Sequence, residues 1–227
     1  MPTLVETVES IARQAASAQA LIESAQRQAM RAADLNPIAY VDWGAALDEA
    51  RRLDAEARAG RLRGPLHGIP VSVKDLFAVR GMPTQAGTRA PLPPLGRDEA
   101  VLVSRLREAG ALVFAKTNMH EVALGATGEN RWTGDVKNPF DPARQAGGSS
   151  SGAAVAVATG IGLAGIGSDT GGSVRIPAAF CGVTGFKPSF GAIPLAGALH
   201  LSWTCDHAGP LARCVDDCAV LFEAMAR

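Results

Sequence analysis

Gly68-Ile69-Pro70-Val71-Ser72-Val73-Lys74-Asp75 is the stretch whose reading decides the fold. Gly64, Pro65, Gly68 and Pro70 punctuate a turn, and Ile69 to Val73 is a short β-branched run that reads as a buried strand leading straight into Lys74-Asp75. Downstream, Asp98 is placed to cap a helix whose core face is Val101, Leu102, Leu106 and Ala109. Gly110 ends that helix, and Ala111 to Ala115 is a second apolar strand. Strand, helix and strand in this order predict an α/β fold built on a mixed, partly parallel β-sheet flanked by helices.

Upstream, residues Val5 to Arg31 are rich in Ala, Gln and Glu with apolar positions at helical spacing, and a second helix is expected from Ala45 to Arg58, stopped by Gly60. The expected organisation is therefore a helical segment over residues 1–60 packed on an α/β core over residues 61–227. Glu129 to Gln145 is polar, holds Pro139 and Pro142, lacks a period, and reads as a long functional loop. After Gly147-Gly148-Ser149-Ser150-Ser151-Gly152 comes Ala153 to Ala158, a run of small residues expected to form a closely packed helix. Gly162 to Gly167 reads as a glycine-rich strand, Ser168 to Ser173 as the turn out of it, and Ile176 to Phe180 as a further helix or loop. Asp216 and Asp217 open an acidic first turn for a last helix containing Val220, Leu221 and Met225.

Composition narrows the partners. Twenty-two basic and 22 acidic side chains cancel and neither sign gathers into a block, which argues against a nucleic-acid surface. Glu6, Glu9 and Arg13 interrupt the first apolar residues, so a signal-peptide core and a membrane span are not expected, and a cytoplasmic address is the default. Cys181, Cys205, Cys214 and Cys218 form no CxxC pair; reduced, mostly packed thiols are expected, with no metal and no cofactor.

Two glycine-rich segments invite familiar motifs that their contexts reject. Neither ends in the Gly-Lys-Ser/Thr of a phosphate loop. Gly160, Gly162 and Gly165 match GxGxxG, but they follow a helical run and precede a strand, the reverse of a dinucleotide fingerprint. Gly148 to Gly152 fits GxSxG, yet Asp141 to Ala146 cannot be the strand a nucleophile elbow needs. What remains is Lys74 at a strand end, Ser149 in a glycine turn, and Ser173 in Gly167-Ser168-Asp169-Thr170-Gly171-Gly172-Ser173. Taken singly, these admit bland readings: an ion pair with Asp75, a flexible turn and a helix cap.

Taken together in their flanks, they resemble the amidase signature family from Gly64 to Met225. Matching segments include Lys116-Thr117-Asn118-Met119-His120-Glu121, Val174-Arg175-Ile176-Pro177 after the Ser173 turn, Gly185-Phe186-Lys187-Pro188 and Asp206-His207-Ala208-Gly209-Pro210. The resemblance implies an amidase acting through an acyl-enzyme, with Ser173 as nucleophile and Lys74 as base. In that family the proton passes through a bridging serine whose own peptide bond is cis, and Ser149 occupies that place, with Ser150 as its hydrogen-bonding neighbour. Burial would lower the Lys74 pKa so that it can accept a proton. Backbone N–H groups of Thr170, Gly171, Gly172 and Ser173 would face the developing oxyanion. Asp169 and Arg175 would be supports, and Ala123 to Gly125 would border the acyl pocket. The four histidines, His67, His120, His200 and His207, are expected to serve packing or the surface rather than a triad.

Complete members of that family are longer, and the part without a counterpart here supplies further strands and much of the substrate pocket. The expectation is a piece of a longer chain, a chain completed by a second chain or another copy of itself, or a silent relative. For function, the leading expectation is hydrolysis of a small carboxamide to a carboxylate and ammonia or amine. The alternative is the A subunit of a glutamine-dependent tRNA amidotransferase, which usually has Asp at the position of His120 and Gly at that of Ser151. A catalytically silent binding or scaffold subunit is the third reading.

Overall fold

Ile69 to Val73 becomes an inner strand of a six-stranded sheet. In the computed structural model, which describes residues 2–226, the strands are β1 (Ile38–Val41), β2 (Pro70–Lys74), β3 (Leu112–Thr117), β4 (Ala164–Asp169), β5 (Thr184–Gly185) and β6 (His207–Ala212). They lie in the order β1-β3-β2-β4-β6-β5. The inner three, β3, β2 and β4, are parallel, whereas β1 on one side and β6 and β5 on the other are antiparallel to their neighbours. Every residue of β2, β3 and β4 is buried, as expected of parallel strands covered on both faces.

Helices supply that cover. Leu4 and Val8 of α1 (Leu4–Ala12), Leu102 and Leu106 of α4 (Val101–Glu108) and Leu221 and Met225 of α7 (Val215–Ala226) pack with Val71, Val73 and Ile166. Ile22 of α2 (Ala18–Arg31) and Leu53 of α3 (Trp43–Arg58) pack with Leu112 and Phe114. The small residues of α5 (Ser151–Thr159) pack with Val174 and with Ala178 of α6 (Arg175–Phe180). Gly165 lets α5 lie directly on β4, since a Cβ there would stand 3.1 Å from Ala153. The Leu4 amide donates to Asp217 Oδ1 at 2.7 Å, joining the first helix to the last.

Three sequence expectations need correction. The helical stretch from Val5 to Arg31 is two helices: Gln14 adopts a left-handed φ of 59° and Ser17 starts the second by accepting from the Ala20 amide. Asp98 does not cap α4, whose N-cap position is Ala100 without a side-chain bond; instead the neighbouring Glu99 carboxylate receives Ser104 and Arg107. Of the cysteines only Cys181 and Cys218 are buried, their thiols pushed up to about 12 by burial, while Cys205 is exposed and Cys214 partly so. All four are free.

Residues 129–145 form the expected loop without helix or strand. Gly160 caps the C-terminus of α5 and Gly165 lies within β4, so the GxGxxG match has the helix-then-strand context that argues against a dinucleotide site. No helix among the described residues is long and apolar enough to cross a membrane.

Candidate active site

Lys74 ends β2 fully buried, and hydroxyl groups are its partners. Its Nζ lies 2.6 Å from Ser149 Oγ and 2.9 Å from Ser168 Oγ. Removing the ammonium from water disfavours the charged form, and burial brings the Lys74 pKa down to about 7 against the opposing pull of Asp169 and Asp206. The bland alternative for Lys74, an ion pair with Asp75, is not what forms. The Asp75 carboxylate faces Lys116 Nζ at 2.9 Å and accepts from the Gln85 amide.

Ser149 sits in a turn that only glycine allows on its N-terminal side. Gly147 has φ +75°, and a Cβ there would stand 2.9 Å from Pro177 Cα. The Gly148–Ser149 peptide bond is cis. Ser150 turns away from Ser149: its Oγ donates to Ser168 O at 3.1 Å and accepts from Ser168 N, and its amide donates to Ser173 O at 3.1 Å. Gly167 leaves room for this, because a Cβ there would lie 2.6 Å from Ser150 Oγ. Ser150 thus stitches the Ser149 turn to the Ser173 turn. Lys74 and Ser149 are in direct contact, whereas Ser173 is tied to their turn through its carbonyl, which accepts from the Ser150 amide. Among the described residues Ser173 Oγ makes no hydrogen bond, and the residue is 9% exposed.

Asp169 organises the turn between β4 and α6. Fully buried, it accepts from the amides of Gly172 (2.8 Å) and Val174 (3.1 Å) and from Arg175 Nε and Nη2. Burial works against its ionisation, but these donors prevail and hold the carboxyl below its usual range. The Gly172 amide is therefore engaged and differs from the expected set of open donors. Thr170, Gly171 and Ser173 keep amides without an acceptor among the described residues. Thr170 Oγ1 donates to Asp206 Oδ1 at 2.6 Å.

Ala123 borders a small cavity together with Ser168, Thr170, Leu76, His200 and Asp206. It ends a 3₁₀ turn in which Val122 and Ala123 have φ of 43° and 64°, held by Thr88 and Trp132, both donating to Glu121 Oε1. Gly125 is not on that wall; it lies against the His120 ring, where a Cβ would come within 2.2 Å. The ring hydrogen bonds of His67, His120 and His207 go elsewhere than the serines: His67 to Arg63 N and Leu53 O, His120 to Thr127, and His207 to the carbonyls of Asp169 and Cys205, while the His120 amide donates to Ser149 O at 3.2 Å. No three His, Cys, Asp or Glu side chains among the described residues gather as a metal site. Ser168 and Asp206 are the site neighbours that sequence reasoning missed. Ser168 stands inside a quoted motif, but nothing local marks it as a lysine partner.

The amidase family profile matches residues 20–227. The chain belongs to the amidase family. It is 45% identical over 194 residues to the A subunit of the glutamyl-tRNA(Gln) amidotransferase of Ralstonia nicotianae, covering 86% of this chain and 39% of the relative. A crystal structure of an amidase superposes with a TM-score of 0.97 at 60% identity, covering 99% of this chain and 52% of that one. The peptide amidase of Stenotrophomonas maltophilia superposes with a TM-score of 0.92 at 36% identity, covering 99% of this chain and 48% of the other. The chain thus spans about half the length, or less, of these amidase-family relatives.

Proposed function

We propose that this chain hydrolyses a carboxamide through a relay of Lys74, Ser149 and Ser173. The observation that carries the reading is a fully buried amine 2.6 Å from a serine hydroxyl, at a site where burial favours the neutral base. Neutral Lys74 takes the proton of Ser149 as Ser149 takes that of Ser173, and Ser173 Oγ forms a bond to the amide carbon. The open amides of Thr170, Gly171 and Ser173 are the candidate donors to the oxyanion, and each such donor contributes about 10²–10³ in rate. When the tetrahedral species collapses, the C–N bond breaks and the relay returns its proton to the leaving nitrogen. Water then enters by the reverse proton path and releases the carboxylate.

Two substrate readings follow from the relatives. The curated relatives favour the A subunit of an amidotransferase, in which the amide is glutamine and the ammonia passes to a tRNA-linked acceptor with partner subunits. The 60% identical solved structure is an amidase with no substrate in its name, and hydrolysis of a small free carboxamide is the second reading. Ammonia release separates them. A panel of simple amides given to the full chain alone yields ammonia under the second reading; glutamine turned over only with partner subunits and charged tRNA supports the first. In either case Ser173→Ala lowers the rate by about 10³-fold or more. Ammonia release unaffected by Ser173→Ala removes the relay from consideration.

A further inference from the structure

The carboxylates that act on Lys74, Asp169 and Asp206, are not equivalent. Asp169 forms a two-pronged ion pair with Arg175, at 3.0 and 2.9 Å, so its charge is offset locally. Asp206 is buried as well, 6% exposed, but has no lysine or arginine partner among the described residues. Its Oδ1 accepts from Thr170 Oγ1 at 2.6 Å, and its Oδ2 accepts from the amides of Leu201 and Ser202 at 2.9 and 3.0 Å. The nearest group able to carry positive charge is His200, whose Nδ1 lies 3.3 Å from Oδ2. Asp206 shares one small cavity with Ser168, and Ser168 Oγ is 2.9 Å from Lys74 Nζ. Charge in such a buried setting is screened little by solvent.

We propose that Asp206, on the loop before β6 and outside the segments holding the relay, is a positioning residue that, with Asp169, tunes the charge state of Lys74. Its hydrogen bonds to Thr170, Leu201 and Ser202 fix where that charge stands. The anion favours the ammonium form of Lys74 and so restrains the loss of its proton that burial promotes. The other charged or titratable groups about Lys74 are accounted for. Arg175 offsets Asp169, Asp75 and Lys116 pair with each other on β2 and β3, and His207 turns its Nδ1 to backbone carbonyls. His200 offsets Asp206 only when protonated. The proposal depends on the relay only for its catalytic consequence, a shift of the acid limb of the rate profile; the charge effect stands apart from it.

The chain has four lysines, Lys74, Lys116, Lys137 and Lys187, so the protonation of each can be followed by NMR of 13Cε-labelled lysine, with Lys74 assigned by its absence in Lys74→Met. The wild-type midpoint is expected near 7. Asp206→Asn, which retains an acceptor for Thr170, is expected to lower it by about one pH unit, while Asp206→Glu leaves it in place. Arg175→Gln, which exposes the charge of Asp169, is expected to raise it. If Asp206→Asn does not give a native spectrum, Asp206→Ser tests the same loss of charge. A neutral variant with a native spectrum and an unmoved Lys74 midpoint overturns the proposal. A wild-type chain inert toward amides, with the midpoint still moving, removes the relay and leaves this inference standing.

Discussion

Asp75 follows Lys74 directly in the chain, yet its carboxylate faces Lys116 on the adjacent strand at 2.9 Å. Lys116 Nζ also donates to Pro83 O and Thr84 Oγ1, so the buried cation is fully partnered. Removing one member of such a pair leaves the other charged and unpaired in the interior. Lys116→Met is expected to lower unfolding stability by about 3–5 kcal/mol. Denaturant titration checks this, and adding Asp75→Asn should restore most of the loss.

A buried lysine whose pKa falls makes stability depend on pH in a particular sense. Below about 7, Lys74 is protonated in both folded and unfolded chains. Between there and the ordinary lysine value of about 10.4, the unfolded chain binds one more proton, so stability rises with pH. Relative to Lys74→Met, the wild type should therefore gain about 4–5 kcal/mol of unfolding stability across that window. Paired chemical denaturation at several pH values checks it; a flat difference would mean that Lys74 titrates normally.

Much of this was legible in the sequence because it was local. Ile69 to Val73 and Ala111 to Ala115 read as strands from their β-branched and apolar runs, and they became β2 and β3 with a shift of a residue or two. β1 was missed because Ile38–Val41 is an edge strand only partly buried, without the apolar run of an inner one. β6 was hidden by Gly209 and Pro210, residues that count against a strand; yet a Cβ at Gly209 would stand 2.1 Å from Phe186 O, so the strand pairs there because that side chain is missing. The partners of the site were illegible for another reason. Ser168 to Lys74 and Thr170 to Asp206 are contacts between residues 94 and 36 positions apart, and nothing local to Asp206 announces them.

Adjacent glycines in the Ser173 turn are expected to differ sharply in tolerance. A Cβ on Gly171 would meet nothing within 4 Å, so Gly171→Ala should fold like the wild type. Gly172 has φ +128° and a Cβ there would come within 2.7 Å of Ile176 Cδ1. Gly172→Ala should cost about 1–3 kcal/mol for its backbone conformation alone, visible as a lower thermal midpoint. Equal midpoints for the two variants would show that the turn is not held as described.

The central claim is that Lys74 activates Ser173 by way of Ser149. A fluorophosphonate probe reports it most directly, through intact mass and peptide mapping of the labelled full chain. The account predicts a single adduct on Ser173, formed about 10³-fold more slowly in Lys74→Ala. An adduct on another residue, or an undiminished rate in Lys74→Ala, would contradict it.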